Sequence, residues 1–175
     1  CATTLALSVY ALIFPFRPAL RIRRLYHENR EQVYALLKTP ATDEQQFAFE
    51  SRMVDRLTMM LGLLPAVTDK QSRTLFEFSL GCMVVGVALN QLRQQALRNT
   101  LLSADVQHRL LATVQDTGRL LAGRPGLALD PVLSALRHLG DHLDTLHAGV
   151  HEHLWTVFRM RVALLIVVSF LERHR

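Results

Sequence analysis

Residues 78–89, FSLGCMVVGVAL, contain no charged side chain and decide the fold. The valines within them are also typical of a buried strand, but helical patterns continue on both sides, so we predict one long helix. A helix that is apolar on every face has to be surrounded by other elements. The stretch therefore predicts the central and most buried helix of a bundle, in which Gly81 and Gly86 let neighbouring helices approach closely. It falls well short of the roughly 20 apolar residues that a membrane span needs.

Two helices are predicted before this central one. Residues 19–37 show apolar side chains at helical spacing, and Pro40 follows their end. Thr42 and Gln45 form a capping box, which predicts the start of a second helix that runs to Leu64. The apolar residues expected on the inner side of this second helix are Phe47, Val54, Leu57, Leu61 and Leu64.

Further helices are predicted after it. One covers residues 103–122 and ends at the glycine-rich loop 123–126, after which Asp130 and Pro131 are typical of a helix start. The next helix carries apolar residues at alternating spacings of four and three, the pattern of a bundle seam. These seam residues are Val132, Leu136, Leu139, Leu143, Leu146 and Val150. The last helix is apolar around its girth over residues 162–171, which predicts a core position. The expected fold class is all-α, a bundle of about six helices.

The composition bounds the class of protein. The chain has 175 residues, enough for one domain with a core, and it is 50% apolar and 20% charged, unlike a disordered or a wholly membrane-embedded chain. The net charge of +5 permits an acidic lipid or nucleic acid as a partner without demonstrating either. Its two cysteines, Cys1 and Cys82, provide no disulfide framework, which fits a reducing compartment.

The beginning of the chain predicts the end of a membrane-spanning helix. Residues 2–16 are apolar, and positive charge follows them, whereas a signal peptide carries its charge before the apolar run. Basic residues just past a span mark the cytoplasmic side, where anionic headgroups lie within reach. The four are Arg17, Arg21, Arg23 and Arg24. We therefore expect the truncated end of a transmembrane helix at residues 1–16 and a cytoplasmic helical bundle at residues 17–175. The other readings are a short buried helix and a solvated basic face.

A second charged group lies on the second helix. Arg52, Asp55 and Arg56 are close enough in sequence to pair on the helix surface, which is one interpretation. The other is a buried polar network that acts as a coupling or interface element, orienting the domain on its membrane half or on a second copy.

Histidines and a cysteine are the remaining candidates for chemistry. His138 and His142 are four residues apart, as are His147 and His151, and this spacing can hold a metal. The seam assigns these positions to the flanks of its helix, so we interpret segment 138–153 as a solvated face and predict neither a metal site nor a cofactor. Cys82 is expected to be an inert small hydrophobe. The chain shows none of the GxSxG, P-loop or GxGxxG motifs, so no catalytic residue and no enzyme activity are predicted.

Two motifs carry a resemblance. The motifs are residues 51–65 (SRMVDRLTMMLGLLP) and residues 73–94 (RTLFEFSLGCMVVGVALNQLRQ). Together with the membrane-helix end and the Arg-rich helix before them, they resemble the fusaric acid resistance / aromatic acid exporter family. In that family a hydrophobic half precedes a soluble helical region with an (S/x)RxxDRLxxLLP-type helix, and an apolar helix ending in a polar LR segment follows. The likeness covers residues 1 to about 100, and the remainder agrees only in being helical.

The resemblance implies a function and partners. It implies a bacterial inner-membrane efflux transporter that exports aromatic carboxylic acids. The basic residues after the predicted span make this chain its cytoplasmic domain, and a bundle with a long seam and no catalytic set predicts a role in assembly and coupling. The implied partners are the membrane, the remaining transmembrane part of the transporter and a periplasmic membrane-fusion subunit, while a homo-oligomer stays open.

Two other classes stay open beside it. One is the dimerisation or signalling module of a membrane receptor, which would share the same first helix and seam. The other is a basic helical nucleic-acid-binding domain, against which stands the lack of interleaved aromatic and basic residues. We expect no nucleic-acid partner.

Overall fold

The computed structural model describes residues 17–98, 102–147 and 154–174. Within these ranges the chain forms six α-helices, one short 3₁₀ turn at Leu64–Ala66 and no strand, which confirms the predicted all-α bundle. The helices are α1 (Pro18–Lys38), α2 (Asp43–Leu63), α3 (Lys70–Arg98), α4 (Ala104–Leu121), α5 (Leu129–His147) and α6 (Leu154–Arg173). Residues 2–16, the predicted membrane segment, lie outside the described residues.

Local capping chemistry sets the first helix boundaries. Pro18 occupies the first turn of α1, where its missing N–H costs no hydrogen bond. Thr42 caps α2, since its hydroxyl accepts a 3.3 Å bond from the backbone N–H of Gln45, as the capping box predicts. Asp69 caps α3 in the same way, because its Oδ1 accepts a 2.6 Å bond from the N–H of Ser72.

The connection between α4 and α5 is a glycine turn. Gly123 has φ of +71° and Gly126 has φ of +89°, in the left-handed region that favours glycine, so α4 ends there as the sequence predicts. α5 begins at Leu129, two residues earlier than a cap at Asp130 would place it, and Asp130 lies inside its first turn. Boundary differences of one or two residues are common at helix ends.

The third helix is central, as its apolar sequence predicts. α3 packs against α1, α2, α4 and α6, and it buries Cys82, Leu89 and Leu92 completely. Its burial is not uniform, however, because Leu80 and Val84 are exposed along the line between α3 and α6. The expectation that residues 78–89 are the most buried segment is therefore wrong. The stretch without an exposed residue is 85–96, where α1, α2 and α4 cover the helix together with α6.

Two glycines on α3 admit aromatic rings, as predicted. A Cβ placed on Gly86 would lie 2.5 Å from Cζ of Phe49 in α2, so the ring occupies the space that a side chain would need. The ring of Phe170 in α6 lies against Gly81 in the same manner, with 2.1 Å between such a Cβ and Cε2. Each glycine thus brings a neighbouring helix close to α3.

The second helix faces the core with a different set of residues from the predicted one. Of the five residues expected inside, Leu57 is buried, whereas Phe47 is 74% exposed and Val54 and Leu61 also face outward. The buried face of α2 consists of Phe49, Met53, Leu57 and Met60. α2 carries two apolar stripes, and the one that holds Phe49 packs inward because the ring fits against Gly86. Periodicity alone does not separate two stripes on one helix.

The predicted seam on α5 is confirmed where the structure describes its side chains. Val132, Leu136, Leu139 and Leu143 are buried, and Leu146 and Val150 lie outside the described side chains. α6 packs against α5 and α3 through a buried face that includes Met160, Leu164, Val167 and Leu171. The predicted core position of α6 holds for one side of the helix only, because its neighbours cover that side and leave the other exposed. The exposed apolar residues on its other side are Phe158, Val162, Leu165 and Ile166.

We expect Gly86→Ala to lower the free energy of unfolding by about 1–3 kcal/mol, because the new methyl group overlaps the fully buried ring of Phe49. Gly62→Ala in α2 is the matched control: nothing lies within 4 Å of its added methyl group. Removing this glycine from a helix should raise stability by about 0.5–1 kcal/mol. Urea unfolding followed by circular dichroism measures both changes. Equal stability of Gly86→Ala and the unsubstituted chain would contradict the ring contact.

Candidate functional site

Members of the two charged groups that the sequence singles out meet at one groove. The groove lies between α1 and α2 and has a volume of about 500 Å³. Arg21 and Arg24 line it from α1, and Arg56 lines it from α2. Its apolar lining consists of Leu20, Leu25 and Met59. This surface, called here the arginine groove, is the candidate functional site.

Arg56 is the least exposed cation of the groove. Its side chain is 20% exposed, and its Nε lies 3.5 Å from Oε2 of Glu28. Its Nη1 is buried and has no hydrogen-bond partner in the described part of the chain. A buried donor without a partner costs about 1–3 kcal/mol, more when the group is charged. Arg56 thus lines the groove while its Nη1 is enclosed within the bundle.

Glu28 connects the cations of both helices. Its Oε1 accepts a 2.9 Å bond from Nε of Arg24, one turn earlier on α1, and its Oε2 faces Arg56. The pair with Arg24 is largely exposed and contributes little to stability. With three arginines and one glutamate, the groove carries a positive charge of about two.

The other predicted basic residues lie outside the groove. Arg17 precedes α1 and is exposed. Arg23 points towards α3, where its Nη2 donates a 2.6 Å bond to Oε1 of Gln71. The four arginines expected at the membrane surface thus form no single cluster, and only Arg21 and Arg24 share the groove. Contact of any of them with headgroups stays a prediction.

The expected group of Arg52, Asp55 and Arg56 does not form. Arg52 donates from Nε to the carbonyl oxygen of Ala48 at 2.9 Å, within its own helix. Asp55 is exposed and has no ion pair among the described residues. Asp55 and Arg56 are adjacent in sequence, and neighbouring helical residues do not face each other. A role for these residues in coupling or at an interface stays a prediction, and Arg56 is the one whose position favours it.

Arg93 is a structural residue that the sequence reading missed. Its Nη1 donates to the carbonyl oxygens of Leu36 at 3.2 Å and Leu37 at 2.9 Å, and its Nη2 donates to that of Thr39. These carbonyl groups lie at the end of α1, where the i+4 backbone donors of a helix run out, and that of Leu36 also accepts from the N–H and the hydroxyl of Thr39. Burial lowers the pKa of Arg93 from its ordinary value. Arg93 belongs to the polar LR segment after the apolar run, which is its signal in the sequence. The residues around it do not indicate which helix end its side chain contacts.

Arg30 provides a second cap of this kind. Its Nε donates to the carbonyl oxygen of Leu121 at the end of α4, and its Nη1 donates a 3.2 Å bond to the hydroxyl of Tyr26. An arginine near the end of a helix also interacts favourably with the helix dipole. Arg30 thereby attaches α1 to α4, as Arg93 attaches α3 to α1.

The histidines line a separate groove. His138 and His142 are exposed on α5 and face His108 of α4 across a cleft of about 640 Å³. His108 is a neighbour that the sequence reading missed, because it belongs to another helix. Among the residues that the structure describes, no three His, Cys, Asp or Glu side chains are grouped as a metal site requires. The side chains of His147, His151 and His153 lie outside the described ones.

Cys82 is buried in the core, where the sequence places it. Its thiol is free and inaccessible, and burial raises its pKa to about 12. Because the thiolate is the nucleophilic form, such a thiol is inert near neutral pH.

One helix among the described residues, α3, is long and apolar enough by composition to cross a membrane. The most apolar window of α3 has a mean hydropathy of 1.5, and 44% of the window is buried in the bundle. The core helix of a bundle can reach the same values.

The comparisons with known proteins identify one family. The model of the Fusaric acid resistance protein family matches residues 1–175. No match was found among the curated proteins or among the solved structures.

We expect Cys82 to resist alkylation by iodoacetamide at pH 8 in the folded chain and to react once the chain is unfolded in urea. The unfolded thiol has an ordinary pKa near 9.0, so the unfolded state loses its proton first as the pH rises. The free energy of unfolding should therefore fall between about pH 9 and pH 12. Cys82→Ala should remove this part of the pH dependence. Rapid alkylation at Cys82 of the folded chain, distinguished from that at Cys1 by peptide mass spectrometry, would contradict the burial of the thiol.

Proposed function

Because the chain belongs to the fusaric acid resistance protein family, we propose that it is the cytoplasmic domain of an inner-membrane efflux transporter that exports aromatic carboxylic acids. Membership in this family indicates a membrane-associated transport function linked to efflux. The observation that carries the proposal is the extent of the match, which includes residues 2–16 as well as the bundle. We assign the domain a role in assembly and coupling, without catalysis.

The position of α1 supports the coupling role. α1 begins at Pro18, directly after the predicted membrane segment, and it packs against α2, α3 and α4. Arg30 and Arg93 add side-chain bonds from α1 to α4 and from α3 to α1. A displacement of the membrane segment would therefore reach three helices through one rigid element. Packed helices with discrete arrangements are the physical means by which such coupling travels.

The proposed partners follow from the same assignment. The basic residues near the start of α1 would lie at the cytoplasmic face of the inner membrane, where each contributes roughly 1 kcal/mol of attraction to anionic lipid. The remaining transmembrane part of the transporter would hold the path of the substrate. A periplasmic membrane-fusion subunit would complete the export route, as the resemblance implies.

Expression of the full-length protein in an efflux-deficient bacterium tests the proposal. We expect it to raise resistance to aromatic carboxylic acids, and we expect deletion of residues 39–175 to abolish that resistance. Arg56→Ala should retain protein abundance in membranes and lose part of the resistance, because Arg56 connects α2 to Glu28 of α1. Arg52→Ala is the matched control one turn earlier; the side-chain bond of Arg52 to Ala48 stays within its own helix, so this variant should retain both.

Two results would contradict the proposal. Unchanged abundance and resistance after deletion of residues 39–175 would show that the domain is dispensable. Unchanged resistance in Arg56→Ala, with full abundance, would remove Arg56 from the coupling path. Immunoblots of isolated membranes, measured beside growth on a panel of aromatic acids, separate loss of protein from loss of transport.

A further inference from the structure

Among the described residues, an apolar surface stays uncovered along a groove of about 680 Å³ between α3 and α6. Its side chains are between 37% and 55% exposed. Only 44% of the most apolar window of α3 is buried in the bundle, so much of an apolar sequence has no cover. This surface, called here the α3–α6 face, consists of Leu80, Val84, Val162, Leu165 and Ile166. A contiguous exposed apolar patch is typical of a site at which a protein binds a partner.

One end of the α3–α6 face carries an acid and a base. The ring of Phe170 in α6 lies against Gly81 of α3. Glu77 precedes Gly81 by about one turn, and Arg173 follows Phe170 by about one turn. Since both charged residues line the groove, α3 and α6 run antiparallel, and the two lie at the same height along the bundle. Both are exposed, and neither forms an ion pair with a described residue.

The same end of the bundle holds the start of α1. Arg23, near the start of α1, bonds to Gln71, near the start of α3, whereas Arg93 meets the end of α1. α1 and α3 therefore run in the same direction, and Glu77 lies on the side of the predicted membrane segment. In two copies attached to one membrane this end points the same way, so a two-fold axis between them runs along the helices.

Such an axis makes the α3–α6 face self-complementary. It sets α3 of one copy opposite α6 of the other and keeps their heights, so Glu77 meets Arg173 of the second copy. A two-fold interface contains every contact twice, which gives two such pairs of opposite charge. Opposite charges at the rim of an apolar patch fix the orientation of two partners. Lipid is a poorer occupant, because the face runs along the side of the bundle and away from its membrane end.

We infer that the α3–α6 face is the surface through which two copies of this chain pack side by side in parallel. Leu165 of one copy packs against Leu80 and Val84 of the other, and the pairs of Glu77 with Arg173 fix the orientation. The parallel orientation rests on the proposed function, since it requires a membrane attachment before α1. The interface joins two transporter chains through their bundles.

Cysteine cross-linking in isolated membranes tests the inference on the full-length protein. Two differently tagged copies, each with one added cysteine, are expressed together, and non-reducing immunoblots detect disulfides between them. We expect Leu80→Cys to cross-link with Ser169→Cys, because these positions line the groove near the contact of Phe170 with Gly81. Val162→Cys lies about two turns from Ser169 and should cross-link with Leu80→Cys only in an antiparallel pair. Copies without an added cysteine are the blank.

Substitution of the apolar residues tests the face itself. Leu165→Asp should reduce the yield of the 80–169 cross-link by roughly tenfold or more, because it places a charge between the two copies. Phe47→Asp is the matched control: Phe47 is an exposed apolar residue on α2, outside the face, so this variant should leave the yield unchanged. Both positions are exposed in the single chain, and membrane abundance of each variant measures folding.

Charge exchange tests the orientation. Glu77→Arg and Arg173→Glu should each lower the cross-link yield by roughly threefold, the effect of exposed ion pairs that occur twice. The double exchange should restore the yield, because opposite charges face each other again. Arg159→Glu, at an exposed position towards the other end of α6, should leave the yield unchanged.

Several results would overturn the inference. They are the absence of the 80–169 cross-link, a preference for the 80–162 cross-link, and equal losses in Leu165→Asp and Phe47→Asp. Protection of Leu165→Cys from a water-soluble maleimide without any cross-link would assign the face to lipid or to another part of the same polypeptide, with the same consequence. Resistance to aromatic acids without cross-links would leave the proposed function standing. Cross-links without resistance would contradict the proposed function and leave the interface standing.

Discussion

The packing of the Phe49 ring against Gly86 is the contact on which the arrangement of the first three helices depends. It brings α2 close to the central helix α3 and sets the rotation of α2 about its own axis. Arg56 follows Phe49 by seven residues, nearly two turns, so it lies at the edge of the same face and meets Glu28 of α1. With the other apolar stripe inward, Arg56 would be turned away from α1, and the arginine groove would not exist.

Helix ends are joined by arginines from neighbouring helices. Arg93 of α3 satisfies carbonyl groups at the end of α1, and Arg30 of α1 satisfies one at the end of α4. A carbonyl group at a helix end that is covered without a donor would cost about 1–3 kcal/mol, so these contacts stabilise the bundle. They also attach α1 to both α3 and α4. The polar LR segment of the family motif acquires in this way a structural role, which is to attach the central helix to the first.

Among the described residues, at least two stretches of apolar surface remain outside the core. One is the stripe of α2 that contains Phe47, and the other is the line between α3 and α6 that contains Leu80 and Leu165. Both consist of residues that fit the helical period but lie beyond the reach of the neighbouring helices. The arginine groove differs from both in its three arginine side chains, which line it beside Leu20, Leu25 and Met59.

The sequence by itself determined the helices, their caps and the seam. These features depend on residues close together in the chain, so they can be recognised before any tertiary contact is known. They are the cap of Thr42 with Gln45, the glycines at 123 and 126, and the spacing from Val132 to Leu143. The motifs in residues 51–65 and 73–94 also identified the family. The tertiary structure decided which of the two stripes of α2 is buried, which sides of α3 and α6 stay open, and that Arg21, Arg24 and Arg56 share a groove. The physical reason is that the inner face of a helix depends on the shape of its partner, which here is the gap left by the missing side chain of Gly86. In addition, residues about 30 positions apart in the chain meet only when two helices pack.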